Sequence, residues 1–207
     1  MLAAGATERA ARGMNIFLGI TGASGAPYAA RLVRALSESS AQVGVAVSDS
    51  GFEVLATELY GDRSLPHDQV LQRLTGGLAG VTVYDARDFG SPYASGSAKV
   101  DGYVICPCSM ATVGTIAAGA MANLVHRAAS VALKEDRKLV LVPRETPLST
   151  IHLENLLRLR RAGAVIVFAA PGFYNAPETI DDLIEFVVGR CLDQLGIENT
   201  LTKRWGQ

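Results

Sequence analysis

Hydroxyl and guanidinium side chains recur at one kind of position in this chain, the residues that directly follow a short apolar run. Thr21-Gly22-Ala23-Ser24-Gly25 follows the run at 16–20, and Ser48 closes the run that begins at 42. Cys108-Ser109-Met110-Ala111-Thr112 follows 102–106, and Pro143-Arg144-Glu145 follows 139–142. The first of these opens a helical pattern at 28–36. Glycines there allow a positive φ and a close approach to a ligand, while the N–H groups and dipole of a helix start attract phosphate. The turn is neither G-x-G-x-x-G nor a lysine-bearing Walker loop, so a phosphate ligand and a merely tight β–α turn both fit it. Ser109 and Thr112 read equally as helix caps or as phosphate ligands, since a capped helix start also presents N–H groups. Arg144 stands where a parallel sheet ends, as a ligand contact or as a surface arginine.

A second group is cationic. Arg127 and Lys134 are seven residues apart in a helical pattern, hence on one face about two turns apart. Two cations on one stripe call for an anion between them, unless the stripe is a solvated basic face. Arg190 flanks the apolar stripe of Ile180, Leu183, Ile184, Val187, Cys191 and Leu195, where it fits either an anion or an interface covered by its aliphatic stem. Asp181-Asp182-Leu183-Ile184-Glu185 imitates the aspartate-rich motif of magnesium-dependent prenyltransferases. These acids follow Thr179 in a first helical turn, where they meet the dipole favourably, and no second such motif exists. Cys106-Pro107-Cys108 is too short a pair for a sound disulfide or half of a usual zinc site. His67, His126 and His152 lack metal-ligand spacing and read as structural or surface residues. No metal is expected.

These groups are positioned by apolar runs that alternate with helical patterns. Strands are expected at 15–20, 42–48, 81–84, 102–106, 138–143 and 164–168, and helices at 25–38, 50–60, 68–75, 109–119, 123–136, 149–161 and 179–195. That rhythm is an α/β fold with a parallel sheet covered on both faces, in which ligands sit beyond the carboxyl ends of the strands where strand order reverses. The 207 residues, 49% hydrophobic with 21 glycines, suit one domain with a sizeable core. A net charge of −1 without a long basic run gives no footprint for nucleic acid or an anionic membrane. No apolar run approaches the roughly 18 to 20 residues of a membrane span, and residues 1–13 lack the apolar core of a secretory signal. We therefore expect a cytoplasmic protein, with residues 1–13 as a disordered extension and a domain at 14–207.

The wording of these segments resembles a known family. TGASGAPY, ATE, ASGS, CPCSMAT, RAASVALKE, LVLVPRETPLSTIHLENLLRL, GAVI, APGFY and the terminal RWG are similar to the flavin prenyltransferases of the UbiX type, over 14–205. The pattern PRE-P-x-S-x-x-H-L-x-N is highly specific to them. The resemblance implies a Rossmann-like or flavodoxin-like three-layer domain that assembles as trimers, commonly paired into dodecamers. It implies transfer of a dimethylallyl group from dimethylallyl monophosphate to reduced FMN, which is then a substrate, and a prenylated flavin destined for UbiD-type decarboxylases. Carried over, it sets FMN against Gly22, Ala23, Ser24, Ser48, Ser109, Met110, Ala111, Thr112 and Arg144. The prenyl phosphate would meet Arg127, Lys134, Tyr174 and Arg190, some from a neighbouring subunit. Glu58, Lys134 and Glu145 would act in catalysis, Glu58 in proton handling. Phe89, Tyr174 and Trp205 would face the allyl cation with their rings, Asp88-Phe89 standing where some members have tryptophan. The alternatives are an FMN-dependent cysteine decarboxylase of the related homo-oligomeric fold, whose P-A-S-A-N-T signature is absent here, and a non-catalytic FMN-binding accessory subunit.

Overall fold

Each of the long apolar runs becomes a strand with both faces covered. The computed structural model describes residues 13–202; Trp205 and residues 1–12 lie outside the described residues. A six-stranded parallel sheet contains β1 (Asn15–Ile20), β2 (Gln42–Val47), β3 (Val81–Tyr84), β4 (Gly102–Cys108), β5 (Leu139–Pro143) and β6 (Val165–Ile166). Its order is β3-β2-β1-β4-β5-β6, so the chain reverses direction across the sheet between β1 and β4. The helices are α1 (Ala26–Glu38), α2 (Asp49–Tyr60), α3 (His67–Thr75), α4 (Met110–Ala117), α5 (Leu124–Lys134), α6 (Thr150–Arg161) and α7 (Ile180–Leu195), with a 3-10 turn at Pro92–Ala94.

Side chains alternate across each strand, which divides the core in two. Ile16, Leu18 and Ile20 of β1 join Leu32, Leu55, Val70 and Val188 of α1, α2, α3 and α7 on one face. Phe17 joins Tyr103, Val113, Val125 and Leu156 on the other, under α4, α5 and α6. This is the expected three-layer α/β domain. Expected and observed elements agree closely, with one shortened strand. The run at 164–168 keeps a ladder only at Val165–Ile166, although Val167 and Ala169 still donate to the carbonyls of Leu141 and Pro143. The 3-10 turn was not expected, because three residues carry no periodicity.

That turn is fixed by an aromatic packed on a glycine. Tyr93, 4% exposed, lies across Gly44 of β2, where a Cβ would overlap its ring. Its hydroxyl donates to Asn15 Oδ1 at 2.7 Å, and its ring meets Tyr84 edge-on at 5.4 Å. Burial pushes the phenol well above its ordinary value. Gly44→Ala should therefore destabilise the protein by about 1 to 3 kcal/mol, the usual cost of overpacking a closed core. Equilibrium denaturation checks this, and an unchanged midpoint would contradict the packing.

Candidate flavin and prenyl-phosphate sites

The carboxyl edge of the sheet collects four of the expected segments. Thr21, directly after β1, is 1% exposed and bonds twice to the start of α4: its Oγ1 donates to Pro107 O at 3.0 Å and accepts Ser109 N–H at 2.8 Å. Ser109 caps α4, accepting Thr112 N–H at 3.2 Å and donating to Thr112 Oγ1 at 3.1 Å. Gly22 abuts Ser50 so closely that a Cβ would overlap the serine hydroxyl, and Ser50 Oγ lies 3.3 Å from that of Ser48, the cap of α2. Arg144, directly after β5, donates from Nε to Ser24 O at 3.3 Å. Gly22, Ala23, Ser24, Ser48, Ser109, Met110, Ala111, Thr112 and Arg144 are thus brought to one place.

Helix starts at this edge differ in what they have left to offer. The N–H groups of Gly25 and Ala26 at the start of α1 both donate to Glu58 Oε2, at 2.9 and 2.8 Å, Pro27 has none, and Tyr28 donates to Gly25 O. The anion at the α1 start is therefore the protein's own carboxylate, which corrects the expectation that these N–H groups serve a phosphate. Glu58 reaches the site by this route, with its other oxygen outside both bonds. At α4 the situation is reversed. Among the described residues nothing accepts the N–H groups of Met110 and Ala111, which head a helix whose dipole favours an anion. Glu145 lies beside Arg144 and accepts Thr146 N–H at 3.1 Å.

The cationic group lies elsewhere. Arg127 Nε donates to Ala94 O at 2.9 Å, and Arg137 donates to Gly96 O at 2.6 Å and to Tyr103 OH at 3.2 Å. Lys134 pairs with Glu135, and the ends of both side chains lie beside Gly96. The stretch from Ala94 to Gly96 is thus bonded by Arg127 and Arg137, with Lys134 beside it; Arg137 and the Ser95-Gly96-Ser97 loop itself were not among the expected site residues. Their signal was a Ser-Gly-Ser run facing a helix rich in basic residues, which spacing alone does not pair. Arg127 and Lys134 do share a face of α5, as expected. Yet α5 descends toward the amino edge, where Arg137 meets Tyr103 near the start of β4. The seven residues of β4 span roughly 20 Å, with Lys134 toward one end of the sheet and Ser109 and Arg144 at the other.

Tyr174 and Arg190 form a third patch, along β6. Tyr174, 60% exposed, meets Phe186 of α7 edge-on at 5.7 Å. Arg190 pairs with Asp193 at 2.9 Å and lines a groove with Val165, Val167, Phe168 and Phe186. Phe89 lies half-exposed in the loop after β3, whose Ala86 carbonyl accepts Leu124 N–H at the start of α5. One chain therefore carries the carboxyl-edge loops, the basic loop clamp and the aromatic patch at three separate places.

The other reactive side chains are absorbed by structure. Asp182 Oδ2 accepts the N–H groups of Glu178 and Thr179 in a capping box, which holds its carboxyl below the usual carboxylate range. Cys106, Cys108 and Cys191 are buried free thiols, raised by desolvation, Cys191 to about 12. His67 stacks on Phe52, His152 completes the cap of α6, and desolvation lowers the buried imidazole of His126.

Known proteins share both the sequence and this geometry. The flavoprotein family model matches residues 4–192. The flavin prenyltransferase UbiX of Alkalihalophilus pseudofirmus is 48% identical over 191 residues, spanning 92% of this chain and 95% of that protein. A dodecameric FMN-dependent UbiX-like decarboxylase from Escherichia coli superimposes with a TM-score of 0.83 at 41% identity, over 94% of this chain and 100% of that one. AnUbiX, solved with FMN and dimethylallyl pyrophosphate, does so with a TM-score of 0.84 at 36% identity, over 95% and 99%. With its glycine loop, capped α4 and arginine gathered at the carboxyl edge of the sheet, the chain belongs to the flavoprotein family and, within it, to the UbiX-type flavin prenyltransferases.

Proposed function

We propose that the protein joins a dimethylallyl group to reduced FMN at N5 and C6, making prenylated FMN. The observation that carries this reading is the likeness, over nine-tenths of the chain, to flavin prenyltransferases. A cysteine decarboxylase would be expected to carry P-A-S-A-N-T where this chain has Pro107-Cys108-Ser109-Met110-Ala111-Thr112. A bare FMN carrier needs no cation clamp such as that formed by Arg127 and Lys134.

In this reading, reduced FMN is the acceptor substrate and supplies the nucleophilic ring positions. Met110 and Ala111 offer N–H groups to its phosphate, Ser109 and Thr112 their hydroxyls. Gly22, Ala23, Ser24 and Ser48 line the flavin, and Arg144 adds a charge-assisted contact. Dimethylallyl monophosphate is the donor. Breaking its allylic C–O bond leaves negative charge on the departing phosphate and positive charge on the allyl fragment. Arg127, Lys134 and Arg190 meet the first, and the rings of Phe89, Tyr174 and Trp205 the second. Cations of this kind make a metal ion unnecessary. Ring closure at C6 releases a proton, for which the second oxygen of Glu58, Glu145 and the released phosphate are the carriers at hand.

The placement of Lys134 and Arg144 toward opposite edges of the sheet supports a site completed by a neighbouring copy. Such sites suit a homo-oligomer of trimers, paired into a dodecamer like the UbiX-like relative. A UbiD-type decarboxylase would receive the product. Buried free thiols suit the reducing cytoplasm, and among the described residues no helix is long and apolar enough to cross a membrane.

Arg144→Ala should weaken FMN binding by about tenfold or more, the scale of a lost charge-assisted hydrogen bond. Flavin fluorescence titration measures it, and wild-type affinity would remove Arg144 from the site. Lys134→Ala and Arg190→Ala should each be inactive alone and regain activity when mixed, because a mixed oligomer contains sites with both residues. No recovery after demonstrated subunit exchange would put them in one chain's site.

A further inference from the structure

We propose that Thr21, which touches no ligand in this reading, is the positioning residue that sets the FMN phosphate site by fixing where α4 begins. The inference rests on the FMN-binding role given above to Ser109, Met110 and Ala111. The ladder between β1 and β4 covers Ile16 to Gly19 against Gly102 to Ile105, and β4 shifts register between Ile105 and Cys108. Beyond that point Pro107 has no N–H to offer, so regular pairing cannot tie the two strand ends together.

Thr21 supplies the tie. Its own N–H donates to Pro107 O at 3.1 Å, its Oγ1 donates to the same carbonyl at 3.0 Å, and that Oγ1 accepts Ser109 N–H at 2.8 Å. At 1% exposure these bonds face no competition from water.

Two consequences bear on a bound phosphate. Ser109 is held with its hydroxyl on Thr112, so α4 starts at a defined place and angle. Because the Ser109 N–H is consumed, the donors left for an anion are those of Met110 and Ala111. The flavin loop at Gly22 begins at the next residue, so one hydroxyl orients both walls of the site.

The test compares Thr21→Val, which keeps the shape and removes the hydroxyl, with Thr21→Ser, which keeps the hydroxyl. FMN affinity is read by fluorescence and turnover at saturating FMN. Thr21→Val should bind FMN about tenfold more weakly, the effect of losing one to two hydrogen bonds, with kcat and donor KM near wild type. Thr21→Ser should match wild type in all three. Wild-type affinity or tighter binding in Thr21→Val would overturn the inference, as would an equal loss in Thr21→Ser. If Thr21→Val does not fold, amide exchange decides. The Ser109 N–H should be protected in wild type without FMN, and rapid exchange would overturn the inference. A wild type that takes up no FMN, with Ser109 still protected, would refute the FMN reading and leave the α4 tether standing.

Discussion

A parallel strand has a length, and in this fold that length separates the hydroxyl and arginine loops at one edge of the sheet from Lys134 toward the other. Every loop that follows a strand emerges at the carboxyl edge, so Ser24, Ser109 and Arg144 gather there whatever their distance in sequence. Every helix then returns to the amino edge before the next strand can begin. Lys134, at the last turn of α5, is carried away from those loops by the same rule that brings them together. The chain cannot shorten β4 without losing the core residues Tyr103, Val104 and Ile105, each fully buried. In the function proposed above, a second copy would present its amino-edge cations to the first copy's carboxyl edge, which would make activity depend on assembly.

Backbone donors at helix starts are the second constraint. Each must be met by a side chain, a ligand or water. The chain spends Glu58 on the N–H groups of Gly25 and Ala26 at α1, whereas among the described residues nothing accepts those of Met110 and Ala111 at α4. Gly44 gives up its Cβ to Tyr93, which fixes the 3-10 turn that leads into the basic loop.

Much of this was legible in the sequence because the signals are local. Runs such as 16–20 and 139–142 are too apolar for anything but strands buried on both faces, and Ser109 and Thr179 mark helix starts that the structure shows as side-chain caps. The spacing of Arg127 and Lys134 put them on one helix face, correctly. It could not say which edge of the sheet that face approaches, which depends on topology. Nor could composition reveal that Glu58, thirty-three positions from Gly25, closes the start of α1. The Arg137 clamp on Gly96 spans forty-one positions and has no periodic trace either. Both of these are polar contacts between distant residues, which no local pattern encodes.

The central claim is that this chain alkylates reduced FMN. The most direct measurement is anaerobic incubation of the protein with reduced FMN and dimethylallyl monophosphate, followed by the mass of the flavin and assay of released phosphate. The account predicts a flavin heavier by one dimethylallyl group less the hydrogen it replaces, with one phosphate released per flavin and no added metal. Unchanged FMN with no phosphate released, from protein shown to be oligomeric and to bind FMN, would contradict it.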